Sequence, residues 1–403
     1  MDLSYGEDAE AFRADVRAFL SLHWPPAADL RGADLKQFIS GFRALATAQG
    51  YLYRTVPKRY GGSEQPVDVI RAQVIREEFA RARAPMEIVG NGTSMTVPTL
   101  LEKGTDEQKE MFIRRTLEGE YIWGQGYSEP GAGSDLASIR TRGELSPDGT
   151  KWIINGQKTW TSQGMQATHM FMLVRTEPNA PKHDGITYLL LDLDQPGIIR
   201  RPIRQMTGED GDNTFCEFFF DNAETPVSWQ VGERGQGWYV SRTTLKHERA
   251  NIGSADGLGR QFAKLVELAK EVGRLEDPLV RDKLAAIEGF VLAHRYSSYR
   301  IFSCAAADED PGPVSVMMKL LLTEIGHEIA LLAEELIDEH AFIEPRGAGG
   351  RGDRGQRGPE KWMDQIMGSL GNSIAGGASN IQRNIIGERG LGLPRDLAMS
   401  AER

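Results

Sequence analysis

The residue types able to do chemistry in this 403-residue chain gather in three places. The first is Gln125-Gly126-Tyr127-Ser128-Glu129-Pro130-Gly131-Ala132-Gly133-Ser134-Asp135, where hydroxyls and carboxylates alternate with glycine and proline. Glycine lets a backbone turn tightly and approach a ligand closely, and Pro130 forbids helix continuation. Such a stretch is either a surface loop or a cradle for a planar or phosphorylated ligand. The second is Lys158-Thr159-Trp160-Thr161-Ser162, where an indole and three hydroxyls can wall a ring, or where Trp160 is an ordinary core residue. The third is Leu245-Lys246-His247-Glu248-Arg249, which holds acid–base side chains or is a solvated helix face. Residue types alone leave each choice open.

The length predicts two or three domains. A hydrophobic content of 40% and a charged content of 26% describe a globular chain. The longest apolar runs, such as Met170–Val174, fall far short of a bilayer span. The acidic N-terminus resembles no signal peptide, and two cysteines, Cys216 and Cys304, fit a reducing cytoplasm. A net charge of −10 disfavours nucleic acid and anionic membrane as partners, and no metal site is expected.

Helical spacing over 8–22 (Phe12, Val16, Phe19, Leu20), over 35–49 and from Pro66 to Ala82, with a helix start at Thr105, makes 1–120 a helical domain. Between 121 and 236 the pattern becomes strands: Lys151–Gly156, Met170–Arg175, Gly185–Asp192 and Phe215–Phe220, with turn chemistry at Asp148-Gly149 and Asn155-Gly156. Strands without intervening helices predict an antiparallel sheet or small barrel. From 237 to 403 long helices return, near 238–272, 278–306, 313–340 and 360–390, interrupted by Asp310-Pro311-Gly312-Pro313 and by the Gly/Arg-rich segment 346–358. The expected class is α+β: an N-terminal helical domain, a middle antiparallel β domain and a C-terminal four-helix bundle.

Tyr127–Asp135 resembles the flavin- and substrate-binding signature of the acyl-CoA dehydrogenases, and Asn155–Ser162 resembles that family's second signature. Val56-Pro57-Lys58-Arg59-Tyr60-Gly61-Gly62 and Ile381-Gln382-Arg383-Asn384-Ile385-Ile386 extend the resemblance, in order, over nearly the whole chain. The resemblance implies FAD as cofactor, between the β domain and the C-terminal helices, and an acyl-CoA as substrate. It places Gln125, Tyr127, Ser128, Gly133, Ser134, Trp160, Thr161 and Ser162 against the flavin, with Ser134 also touching the acyl-CoA. Ala378 and Asn380 would contact FAD in place of the family's usual residues, while Arg274 and Arg281 would reach its pyrophosphate across a subunit interface.

Many members carry the catalytic glutamate at the position of Gly376, so this loop, Ala375-Gly376-Gly377-Ala378-Ser379-Asn380, lacks it. The isovaleryl- and long-chain-type branch places the base in a Glu-Arg pair on the first helix of the C-terminal domain. Resemblance to that branch implies Glu248 as the α-proton base and sends Arg249 toward the acyl-CoA. Gly376 would still offer its backbone N–H to the thioester carbonyl, beside Gly377, and its bare Cα would leave room for a bulky acyl group. The implied activity is α,β-dehydrogenation of an acyl-CoA, with electrons passed to an electron-transfer flavoprotein by a homo-oligomer, dimer or tetramer. The alternatives are a non-catalytic or half-site subunit of a hetero-oligomer, and an oxidase or monooxygenase on the same fold.

Overall fold

The computed structural model describes residues 5–27, 29–206, 215–252, 255–307, 309–339 and 359–394; within these, the side chains of 248–252, 255–256, 306, 359–361 and 364 are not described. The expected segment 346–358 and the side chains of Glu248 and Arg249 therefore lie outside the described residues.

Five helices come first: α1 (Glu7–His23), α2 (Gly32–Ala48), α3 (Val69–Ala82), α4 (Val97–Lys103) and α5 (Asp106–Glu118). The start of α5 is a capping box in which Thr105 and Gln108 satisfy each other's backbone N–H. The start of α3 differs from expectation. Asp68 caps it by accepting from the Arg71 N–H, so Pro66 precedes the helix and Val67 lies exposed outside it. A side-chain acceptor at the N-cap satisfies an orphan donor, and that outweighed proline's preference for the first turn.

Eight strands follow: β1 (Trp123–Gly126), β2 (Arg142–Leu145), β3 (Lys151–Ser162), β4 (His169–Arg175), β5 (Ile186–Asp192), β6 (Ile198–Pro202), β7 (Phe215–Pro226) and β8 (Gln230–Val231). They form one sheet in the order β6-β7-β3-β2-β4-β5-β8, with β1 added parallel to β4. The pairings are otherwise mostly antiparallel. Alternate residues of β4 and β5 feed two different cores, since successive side chains leave opposite faces. Phe171, Leu173, Tyr188 and Leu190 join the N-terminal helices, while Met170, Met172, Leu189 and Leu191 pack with Trp152 and Phe218. Asn155-Gly156 is not a turn. It sits in a bulge of β3, where Gly156 has φ 150° and an added Cβ would lie 2.6 Å from Thr141 Oγ1.

The C-terminal helices are α6 (Gly237–Ile252), α7 (Ala255–Glu271), α8 (Pro278–Ala306), α9 (Val314–Ile337), α10 (Pro359–Asn372) and α11 (Ser379–Ile385). Helices α7 to α10 enclose a core of their own around Leu265, Val280, Ile329 and Ala333. The helix expected over 360–390 is broken at 373–378, where Gly376 and Gly377 have φ of 62° and 92°.

Candidate active site

Residues 127–135 leave β1 and close a tight turn in which Glu129 and Ala132 exchange both backbone hydrogen bonds, at 2.9 and 3.0 Å. Beneath the turn lies a buried ionic hub. The Lys158 ammonium, 0% exposed, donates to Glu129 Oε1 at 2.8 Å and to the Tyr127 carbonyl at 3.1 Å. The Glu129 carboxylate also accepts from the backbone N–H groups of Arg140 (2.6 Å) and Thr141 (2.9 Å). Burial pushes the Lys158 ammonium down, to about 8, against the opposing pull of Glu129. Burial would raise Glu129, but Lys158 and the two N–H donors outweigh it and hold the carboxylate below its usual value. Both oxygens of this carboxylate are committed to the fold, and the hub fixes the loop's entry and exit together.

The hub also binds the second block to the first. The Thr159 N–H donates to the Ser128 carbonyl at 2.9 Å, and Thr161 Oγ1 donates to the Gln125 carbonyl at 3.1 Å. A second bulge in β3, between Lys158 and Thr161, turns Lys158 and Thr159 both inward. Trp160, at φ 62°, is thereby pushed outward and is 57% exposed, with its ring edge-on to Phe215 at 5.8 Å. Ser162 is exposed like Trp160, whereas Thr161 is wholly buried and its hydroxyl is spent on the Gln125 carbonyl. Gly133 and Ser134 are exposed, and their N–H groups find no acceptor among the described residues. A Cβ added at Gly131 or Gly133 would meet nothing within 4 Å. Unused donors beside an exposed aromatic face suit a planar ring with a polar edge, which is what an isoalloxazine presents.

Helix α6 reaches this region through buried hydroxyls. Thr244 Oγ1 lies 2.9 Å from Thr99 Oγ1 of α4 and donates to the Tyr188 hydroxyl at 3.4 Å. The Tyr188 ring packs perpendicular to Tyr127 at 6.4 Å and stacks on Phe171. Burial pushes the Tyr188 phenol well above its ordinary value. Ser241 and Thr244 are wholly buried, and position 248 follows Thr244 by one turn of the same helix.

The 373–379 loop is organised separately. Gln382, 3% exposed, donates Nε2 to the Gly376 and Gly377 carbonyls at 3.3 and 3.4 Å, and the Ser379 N–H donates to the Ser373 carbonyl at 2.9 Å. Ala378 is the N-cap of α11, and Asn380 is exposed, accepting from Arg383 at 3.3 Å. Arg274 is held by Asp277 at 2.8 Å and Arg281 by Glu276 at 3.1 Å. Among the described residues, no hydrogen bond or ion pair joins this loop or these arginines to the 125–135 loop.

Family comparison gives three consecutive matches: the acyl-CoA dehydrogenase N-terminal domain over 6–120, the middle domain over 124–223 and the C-terminal domain over 235–391. The chain belongs to the acyl-CoA dehydrogenase family. It is similar to acyl-CoA dehydrogenase IpdE1 of Mycobacterium tuberculosis, at 36% identity over 97% of this chain and 99% of that one. Among solved structures, the Tcur3481-Tcur3483 steroid ACAD superimposes with a TM-score of 0.75 at 29% identity, covering 98% of this chain and 100% of the other. The ChsE4-ChsE5 complex from Mycobacterium tuberculosis gives 0.72 at 28% identity, over 98% and 100%. As an acyl-CoA dehydrogenase the chain is an oxidoreductase acting on the CH–CH group of an acyl-CoA, in a family of FAD flavoproteins.

Sequence reasoning missed the buried pairing of Glu129 with Lys158. It also missed the Thr99–Thr244–Tyr188 hydroxyls and the amide of Gln382. A lysine between Gln157 and Thr159 in an alternating strand reads as solvated until the bulge is known.

Proposed function

We propose that this acyl-CoA dehydrogenase removes the α-proton of its acyl-CoA with Glu248, held on α6, while the Gly376 N–H stabilises charge on the thioester carbonyl. The observation that supports this reading most is the register of α6. Ser241 and Thr244 form a buried stripe, and position 248 continues it one turn on, whereas the 373–379 loop offers no carboxylate. Substrate bound against that helix would exclude water from a base there, and loss of water raises a carboxyl pKa toward the working range. Position 249 lies about 100° further round the helix, and Arg249 is assigned to the CoA portion of the substrate. Bound FAD supplies the acceptor for the β-hydride. This chain's residues do the rest. The free N–H groups of Gly133 and Ser134 hold the ring's polar edge, Ser128 adds a hydroxyl, and Trp160 closes one face. Arg274 and Arg281 serve the pyrophosphate of a neighbouring subunit's cofactor. The acyl group is bulky, branched or ring-bearing, because Gly376 adds no side chain to the pocket; the similar solved protein named a steroid ACAD supports the same class.

The test is anaerobic reduction of the purified holoenzyme by straight-chain, α-branched and ring-bearing acyl-CoAs. Glu248→Gln should keep its FAD yet bleach on the order of 10³-fold more slowly, the scale of a lost general base. Near-normal bleaching by that variant rules out Glu248, and a clear preference for unbranched chains rules out the bulky acyl class.

A second reading has support of its own. Both structures above are named as pairs of chains, Tcur3481-Tcur3483 and ChsE4-ChsE5. In this reading the chain is one half of a hetero-oligomer, and a purified single chain lacking FAD that gains it from a partner chain would favour it.

A further inference from the structure

Lys319 stands in the apolar run Val314–Leu322 of α9 and is only 6% exposed. Among the described residues it has no carboxylate within ion-pair distance. Its ammonium instead donates to the Asn372 carbonyl at 2.8 Å. Asn372 is the last residue of α10, and Thr323, one turn further along α9, lies with Oγ1 3.4 Å from the same carbonyl. Burial pushes the Lys319 ammonium below its ordinary value, with no acid to oppose it. The C-terminal end of a helix carries roughly half a negative charge on carbonyls that lack intrahelical partners, which is what can hold an unpaired ammonium there. The neighbouring carbonyls are used locally: Leu370 accepts from the Ser373 N–H, and Gly371 from those of Ile374 and Ala375. Asn372 is left to α9.

Immediately after Asn372 the chain enters the loop that carries Gly376. Its far end is closed by the Ser379 N–H on the Ser373 carbonyl, and its crown by Gln382 on the two glycine carbonyls. The crown lies close over the Gln382 amide, since a Cβ on Gly377 would lie 2.5 Å from Nε2. The Gly376 N–H has no acceptor among the described residues. With crown and exit clamped to α11, the loop's entry depends on the end of α10, which Lys319 and Thr323 hold to α9 at Asn372 and His327 holds one turn earlier at Ser369, 3.1 Å away.

We propose that Lys319 is a positioning residue for the thioester carbonyl: by holding the α10 terminus it aims the Gly376 N–H at the developing oxyanion. The proposal rests on Gly376 being that donor. Hydrogen bonds aimed at a developing charge lose their value when displaced by fractions of an ångström, so the effect belongs in the chemical step rather than in binding.

The variant is Lys319→Met in the holoenzyme. The probe is acetoacetyl-CoA, whose enolisation in the site is followed by absorbance against pH. FAD content and KM should stay near wild type, kcat should fall on the order of tenfold, and bound acetoacetyl-CoA should enolise about one pH unit higher. Thr323→Val should move the same readouts in the same direction by less. Lys319→Gln, which keeps a donor, should recover part of the loss. Wild-type enolisation in Lys319→Met overturns the proposal and makes Lys319 only a helix cap. Should Lys319→Met fail to fold, unchanged enolisation in Thr323→Val overturns it equally. If the wild-type holoenzyme leaves the probe at its solution pKa, the Gly376 donor reading itself falls, and the proposal with it.

Discussion

Two loops of this protein are built to present backbone N–H groups, and each is anchored by a buried lysine. The lysines are held by opposite means. Lys158 meets a full carboxylate, Glu129, inside a sheet bulge, and the pair is completed by two backbone donors. Among the described residues the Lys319 ammonium donates only to the Asn372 carbonyl at the end of α10, which Thr323 Oγ1 also approaches at 3.4 Å. A buried ion pair holds its geometry firmly but leaves an uncompensated charge if either partner goes. A helix terminus gives a softer hold that can be lost without stranding a charge. On the proposed reading the 127–135 loop is a permanent platform for the flavin, while the loop at Gly376 needs only correct aim.

The largest expected effect follows from that contrast. Lys158→Met strands the Glu129 carboxylate in the interior and should cost about 3–5 kcal/mol of unfolding free energy, with loss of FAD. Lys319→Met strands nothing and should cost about 1 kcal/mol. Denaturant unfolding of the two variants side by side checks the ordering. Equal costs would erase the distinction, and Lys158→Met with Glu129→Gln together should recover much of the Lys158→Met loss.

A third hub extends the ionic side of the comparison. Glu78 of α3, 2% exposed, accepts from Arg13 and Arg17 at 2.9 Å and from Arg81 at 2.7 Å. Burial would raise its pKa, but the three guanidinium groups outweigh it and hold it at about 2, against an ordinary 4.5. A carboxylate depressed in the folded state adds stability above its unfolded pKa and loses it as pH falls toward the folded value. Screening of the exposed Arg17 and Arg81 trims that contribution to about 2 kcal/mol. The wild-type unfolding midpoint should therefore drop between pH 4.5 and about 2 more steeply than that of Glu78→Gln. Parallel curves would mean that the arginines do not single out this carboxylate.

The parts of this architecture that were legible in the sequence are those whose causes are local. Thr105 and Gln108 are three residues apart and announce α5 by themselves, and the three-part helix–strand–helix order follows from periodicity. Pro66 misled because its fitness for a first turn is real, while the competing N-cap, Asp68, is only decisive in the folded backbone. The break of the last long helix at 373–378 needed two glycines at positive φ, a conformation their type allows but does not impose. The hubs were hidden for a different reason. Lys158 becomes a core residue only through a bulge, and Lys319, conspicuous among its apolar neighbours, has its acceptor 53 residues away. The candidate base shows the converse: no local pattern separates Glu248 from a solvated helix face, and in the sequence it is resemblance to the Glu-Arg branch, with the loop carboxylate missing, that singles it out.

The smallest effect is expected at a buried polar group with neither kind of anchor. His294 of α8 is 0% exposed, and among the described residues neither ring nitrogen completes a hydrogen bond, although the Met318 backbone lies beside it. Burial pushes the imidazole below its ordinary 6.5, with the Met318 backbone opposing weakly. Replacing an unsatisfied polar ring with an apolar side chain of similar size removes a desolvation penalty and breaks no bond. His294→Leu should therefore be neutral or stabilising by about 1 kcal/mol near pH 8. Since the unfolded chain binds the proton more readily, wild-type stability falls as pH drops below 6.5, and the advantage of His294→Leu should widen near pH 5. Thermal unfolding of both proteins at the two pH values decides it. A clear loss of stability in the variant would show that the ring is held by a bond as definite as that of Lys319, which would remove the contrast between anchored and unanchored polar groups in this bundle.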